Sequence, residues 1–150
     1  MADKKVDMPV IRTDVLYDPD TYLWIRPEGD IATIGVSPLL EESSGTFVAL
    51  QIDTEGESLE RGAVFGKIEA EKHVGHLRMP LSGKIVAVNQ EVLHNPRLLN
   101  TDPYGKGWLV QVQHTNMQEE FDHLVAGVDN IRQWFEGEWK KMQQKGWIAE

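Results

Sequence analysis

The stretch Gly62-Ala-Val-Phe-Gly-Lys-Ile-Glu-Ala-Glu-Lys-His-Val-Gly-His-Leu-Arg-Met-Pro-Leu-Ser-Gly83 decides the fold. Two strand-like runs of similar length, Val64–Ala70 and His73–Met79, flank Glu71-Lys72, which is the pattern of a β-hairpin. A turn this tight lifts the Lys72 ammonium to an exposed tip, where its long stem swings freely. A lysine on a turn is ordinary by itself, because turns carry charge for solubility. Lys67 and Lys84 fall inside strands and have less freedom.

The same rhythm of short apolar runs broken by Gly, Pro and Asn extends from Tyr22 to His114. Tyr22–Arg26 passes through Pro27-Glu28-Gly29-Asp30 into a run in which Ala32, Ile34 and Val36 share one face, predicting a hairpin. Ser37 is placed to cap a helical turn through Glu42, with Pro38 at its first position, before Gly45 releases the chain. Val48, Leu50 and Ile52 are expected to alternate inward along the next strand. Lys84–Val88 follows Leu81-Ser82-Gly83, and a loop around Asn95-Pro96 and Asp102-Pro103 leads to a last strand with Trp108, Val110 and Val112. The expectation is an all-β body over residues 17–114, preceded by an N-terminal extension, 1–16.

Past His114 the period changes. Met117, Phe121, Leu124 and Val125 have helical spacing, with Asn116 and Glu119 in a capping-box pattern. A second helix is expected from about Asn130, with Ile131, Trp134, Phe135, Trp139 and Met142 as its apolar stripe and Gly127 at the joint. Gly137 weakens that helix by about 1 kcal/mol relative to Ala. The stripe predicts a helical appendage over 115–150 that packs on the β body.

With 150 residues and 41% of them apolar, the chain has material for one core and an appendage. Its net charge of −9 opposes nucleic acid and anionic membrane surfaces as partners. The absence of cysteine removes disulfides, zinc–thiolate sites and thiol nucleophiles, so redox chemistry must come from an added group. No apolar run has the length of a membrane span, and Met1–Val10 lacks a signal-like stretch, which points to the cytoplasm. The sequence marks no active-site chemistry of its own. His73 and His76 leave a strand on opposite faces, no Ser–His–Asp set emerges, and the glycines of the hairpin open no helix, so a phosphate cradle is missing. The carboxylates read as solvated surface.

The hairpin resembles the lipoyl-attachment hairpin of the glycine cleavage H-protein family. That family has a Glu three residues before the modified lysine and a Pro-x-Ser-Gly turn after it; here stand Glu69, Lys72 and Pro80-Leu-Ser-Gly83. Trp24-Ile-Arg, Gly29-Asp-Ile-Ala-Thr-Ile-Gly35, Asn95-Pro-Arg-Leu-Leu-Asn100 and Asp102-Pro-Tyr-Gly-Lys-Gly-Trp108 fall where H-proteins carry similar strings, so the likeness spans roughly residues 17 to 135. It implies a mainly β, barrel-sandwich hybrid fold with C-terminal helices. It also implies a non-catalytic carrier with lipoate joined covalently to Lys72, in a context set by Glu69, Glu71, His73 and Gly83. The joined stems of lysine and lipoate would hold a dithiolane at high local concentration near a partner's active site.

Two departures bear on the pathway. Glycine-cleavage carriers usually have His-Glu-Trp where this chain has Tyr22-Leu23-Trp24, and Glu-Ser-Val-Lys-Ala where it has Glu69-Ala70-Glu71-Lys72-His73. A cationic aminomethyl adduct gains from a neighbouring carboxylate, which Leu23 cannot supply. Both changes, and the tail with Trp134, Trp139 and Trp147, are similar to the H-protein relatives that serve the heterodisulfide-reductase-like system of sulfur oxidation. The expectation is therefore a lipoate-binding carrier of sulfur intermediates. Its partners would be a heterodisulfide-reductase-like complex or sulfurtransferases, and a lipoate-attaching enzyme. The alternatives are a glycine cleavage H-protein serving P-, T- and L-proteins, and a lipoyl relay protein or unmodified adaptor.

Overall fold

The computed structural model describes residues 8–147. Of the expected N-terminal extension 1–16, residues 1–7 lie outside the described residues. Among the described residues, nine strands form two antiparallel sheets. One has six strands in the order β1 (Leu16–Tyr17), β2 (Leu23–Glu28), β3 (Ile31–Val36), β9 (Val110–His114), β8 (Gly83–Val88), β5 (Ser58–Leu59). The other orders β4 (Phe47–Gln51), β6 (Val64–Ala70), β7 (His73–Arg78). The sheets pack face to face and do not close into a barrel. Their shared core includes Leu23, Ile25, Ile34, Phe47, Phe65, Ile68, Leu77, Leu81 and Ile85. Burial on this scale supplies most of the driving force for the sandwich.

The hairpins form as the alternation predicts, with β2 and β3 paired from Leu23 opposite Val36 to Glu28 opposite Ile31. Ser37 caps α1 (Pro38–Ser44), its hydroxyl accepting from the Leu40 N–H. Strand β4 differs from expectation. Its register slips between Phe47 and Ala49, so Phe47 is buried and Val48 is 53% exposed. A bulge adds one residue and turns Val48 outward, while Leu50 packs on the core and Ile52 is buried as the alternation predicts.

The loop around Asn95 and Asp102 contains two short helices, α2 (Gln90–His94) and α3 (Leu98–Thr101). Both are one turn long, too short for a periodic signal. The helix expected after Asn116 also shrinks, to α4 (Met117–Glu120) followed by a 3-10 turn, Phe121–His123. Asn116 makes no side-chain cap bond and Phe121 is exposed. Its four-residue helix has its Glu120 carboxylate drawn away to Ser82, as described below.

The last helix, α5 (Val128–Gln144), is continuous through Gly137. Ile131 packs with Val15, Tyr17 and Trp24 on the outer face of the large sheet, and Phe135, Trp139 and Met142 pack with Leu39 of α1. The apolar stripe thus covers the β body, as its spacing predicts. Tertiary contact outweighs the local cost of one helical glycine.

Candidate functional site

Lys72 stands at the exposed tip between β6 and β7, where Ala70 pairs with His73. Its side chain projects from the body, but its backbone is fastened. The Lys72 N–H donates to the Ser44 carbonyl at 2.9 Å, and the Glu71 N–H donates to the Thr46 carbonyl at 3.1 Å. The Glu71 carboxylate accepts from the Thr46 N–H at 2.7 Å. That backbone donor, first among several contacts, holds the Glu71 carboxyl below the usual carboxylate range. The α1–β4 loop thereby becomes a clamp on the lysine turn.

The clamp is itself held. Asn100, at the end of the Asn95–Asn100 string, accepts from the Phe47 N–H at 2.9 Å and donates to the Gly45 carbonyl at 3.0 Å. Composition and periodicity gave no sign of Ser44, Thr46 and Asn100. The recurrence of the Asn95–Asn100 string in the resembling family was the available signal.

Of the residues expected around the attachment point, the structure brings together Glu71, Lys72 and His73. Glu69 lies on β6, exposed, with Val74 as its cross-strand partner. Gly83 sits apart in the large sheet, opposite Leu59 and His114. Its role there is packing, because a Cβ at Gly83 would overlap the Gln113 carbonyl oxygen and the Val112 side chain. The turn before it is a buried polar knot. Ser82 donates through N–H and hydroxyl to the two Glu120 oxygens, each at 2.7 Å, and its hydroxyl accepts from the Arg61 N–H at 2.8 Å.

Beside Lys72 runs a groove of about 690 Å³, a volume suited to a small-molecule group. Leu23, Ile68 and Leu77 form an apolar floor, and Tyr22 and Trp147 stand on its walls. His73 and His76 both border it despite leaving β7 on opposite sides, because β7 is an outer strand of its sheet. Among the described residues that line it, Asp20 is the single carboxylate, and it is engaged by Arg61 at 3.0 Å. Among the described residues no cluster of His, Asp and Glu is arranged to hold a metal ion, and no helix is long and apolar enough to cross a membrane. The site offers an acylatable amine on a fixed turn beside a trough with an apolar floor.

The sequence matches the family Glycine cleavage H-protein over residues 15–136. The glycine cleavage system H protein of Carboxydothermus hydrogenoformans is 37% identical over 122 residues, covering 81% of this chain and 92% of that protein. Its counterpart from Bacteroides fragilis is 45% identical over 108 residues, covering 72% and 79%. The crystal structure of a glycine cleavage system H protein from Mycobacterium marinum superposes with a TM-score of 0.70 at 33% identity, covering 82% of this chain and 98% of that one. The two-sheet sandwich agrees with that likeness. The chain belongs to the glycine cleavage H-protein family, whose members are non-catalytic carriers with lipoate joined covalently to a lysine.

Proposed function

We propose that Lys72 is the lipoylated residue and that the arm shuttles an aminomethyl group among the P-, T- and L-proteins of a cytoplasmic glycine cleavage system. The observation that carries the attachment site is the clamped tip: an exposed lysine whose turn is bonded to Ser44 and Thr46, at the edge of an apolar groove. Glu69, Glu71 and His73 form the context that an attaching enzyme would meet, and Gly83 supports the fold behind it. The unit 17–114 carries the arm, with the described part of 115–150 packed on it. The pathway is supported by the family match and by the relatives named for that system.

One observation favours a second reading, transfer of sulfur in a heterodisulfide-reductase-like pathway. Leu23 is fully buried in the groove floor, and the groove's carboxylate, Asp20, is already paired with Arg61. A neutral sulfur adduct needs no counter-charge, whereas an aminomethyl cation does.

Intact mass tests both levels. Protein made with a lipoate supply and a lipoate ligase should gain one lipoyl group, and Lys72→Arg should gain none; a lipoylated Lys72→Arg protein refutes the assignment. Lipoylated protein given glycine, glycine decarboxylase and aminomethyltransferase should then turn over glycine. Failure of that turnover, with mass gains in steps of one sulfur atom from a sulfane-sulfur donor, transfers the proposal to the second reading.

A further inference from the structure

The family match ends at residue 136, but α5 runs on for two more turns, and those turns hold the helix that leads into the clamp on Lys72. That helix, α1, has seven residues. An isolated helix so short is unstable in water, so its place in the fold depends on what packs against it. Leu40 packs on the core of the sandwich, while Leu39, fully buried, joins a separate cluster with Phe135, Trp139 and Met142 of α5. Two of those three partners lie beyond the family match.

The same turns also fix the start of α1. Glu138 accepts a 2.7 Å hydrogen bond from the Tyr22 hydroxyl, and the Lys141 ammonium, 2.9 Å away, steadies the carboxylate. The Tyr22 carbonyl in turn accepts, at 3.1 Å, from the N–H of Ser37, the residue that caps α1. Tyr22 has a left-handed backbone, φ 61°, the sole non-glycine residue to do so among those described. That conformation costs energy and persists where the surroundings over-determine it. Here three bonds do so: the Tyr22 N–H donates to the Asp18 carbonyl, its carbonyl accepts from Ser37, and its hydroxyl donates to Glu138.

The far end of α1 delivers the clamp. Ser44, its last residue, is buried and accepts from the Lys72 N–H, and Thr46, two residues on, is bonded to Glu71. We propose that Glu138 and Trp139 are positioning residues for the lipoylation of Lys72, acting through α1: they fix both its cap and its apolar face, and so hold the lysine turn in the form that an attaching enzyme meets. The proposal rests on lipoylation of Lys72. A turn that is already ordered loses less conformational freedom when an enzyme docks on it, which lowers the cost of binding. Slackening α5 against α1 should therefore free the Lys72 amide from Ser44 and weaken the enzyme's hold on the turn, although both side chains belong to α5.

Two readouts on the full chain test it. Lipoylation is followed by intact mass with lipoate, ATP and a lipoate ligase over a range of carrier concentrations. The ligase joins lipoate to ATP as lipoyl adenylate with loss of pyrophosphate; the neutral Lys72 amine then attacks the acyl carbon, forming the amide as AMP and a proton leave. Deuterium exchange of the Lys72 amide is read by NMR on the unlipoylated protein. In Trp139→Leu the KM for the carrier should rise several-fold with kcat nearly kept, and the Lys72 amide should exchange several-fold faster while amides of β8 and β9 keep their protection. Trp139→Phe should fall between. Glu138→Ala should move both readouts the same way by less, and Glu138→Gln, which keeps an acceptor for Tyr22, should restore them. Glu138→Ala leaves the buried cluster intact, so it carries the test where Trp139→Leu does not fold. A folded variant with wild-type KM, or with a protected Lys72 amide, overturns the proposal, as does faster exchange that extends through β8 and β9. Wild-type protein without a lipoyl mass on Lys72 overturns the attachment reading, and the proposal with it; a lipoylated Lys72 with unmoved readouts overturns the proposal alone.

Discussion

Two turns follow each other along the chain, Glu71-Lys72 and Pro80-Leu81-Ser82, and they are built in opposite ways. At the first, the backbone is anchored to Ser44 and Thr46 while the Lys72 side chain stays in solvent. At the second, Pro80, Leu81 and Ser82 are all buried, and the serine is held from two other segments, by the Glu120 carboxylate and by the Arg61 main-chain N–H. A turn that displays a group must be fixed through its main chain, because its side chain is reserved. A turn that closes a core spends every polar group on the inside, because each one left unpaired costs desolvation energy.

The contrast predicts that damage to the second turn lowers stability while damage to the first alters modification. The largest effect on stability should come from Glu120→Ala. It leaves the buried Ser82 N–H without its acceptor and the Ser82 hydroxyl with the longer 3.2 Å contact to Glu60, at a cost of about 1–3 kcal/mol and several degrees of melting temperature. Glu120→Gln keeps one acceptor and should lose less. Lipoylation of either folded variant should proceed at the wild-type rate when measured well below its melting temperature. A slowed rate there would mean that the two turns are not separable.

Glu71→Ala should do the reverse. The Glu71 side chain is exposed and its bond to the Thr46 N–H stiffens the tip only, so the melting temperature should move by about a degree or less. The initial rate of lipoylation by a ligase, followed by intact mass, should fall several-fold as the turn loosens. Unchanged kinetics would show that the two backbone bonds of Glu71 and Lys72 are a sufficient clamp.

The smallest effect lies in α1, whose last residues form part of the clamp. Burial, reinforced by the neighbouring Glu42, pushes the Glu41 carboxyl up to about 7. A raised carboxyl favours the folded state when protonated. Its contribution is therefore fully present below the unfolded value and is lost as pH rises through about 7. Melting temperatures taken between about pH 5 and pH 8 should fall more for wild type than for Glu41→Gln, by on the order of a degree or two, because Glu41 is partly solvated and screening reduces the effect. Parallel curves would show that Glu41 ionises freely in the fold.

The outcome for Gly83 follows from the same comparison. Its place in the Pro80-Leu-Ser-Gly83 turn that follows Lys72 belongs to the resemblance, yet in space it serves the large sheet through close contact with Gln113. A fixed interval along the chain records that a strand of given length runs between two turns. It does not record that the turns cooperate.

By itself the sequence determined the hairpins, the Lys72 tip, the Ser37 cap and the apolar stripe of α5, because each is written in a local period or in residues adjacent along the chain. The strings around Trp24, Asn95–Asn100 and Asp102–Trp108 carried the family in the same linear way. Only the tertiary structure decided the rest. The β4 bulge, the pull of Ser82 on Glu120, the Asn100 clamp and the groove between Lys72 and Trp147 all depend on partners far apart in the chain. A side chain chooses among such distant partners only once the core has fixed the elements that carry them, and no local pattern encodes that choice.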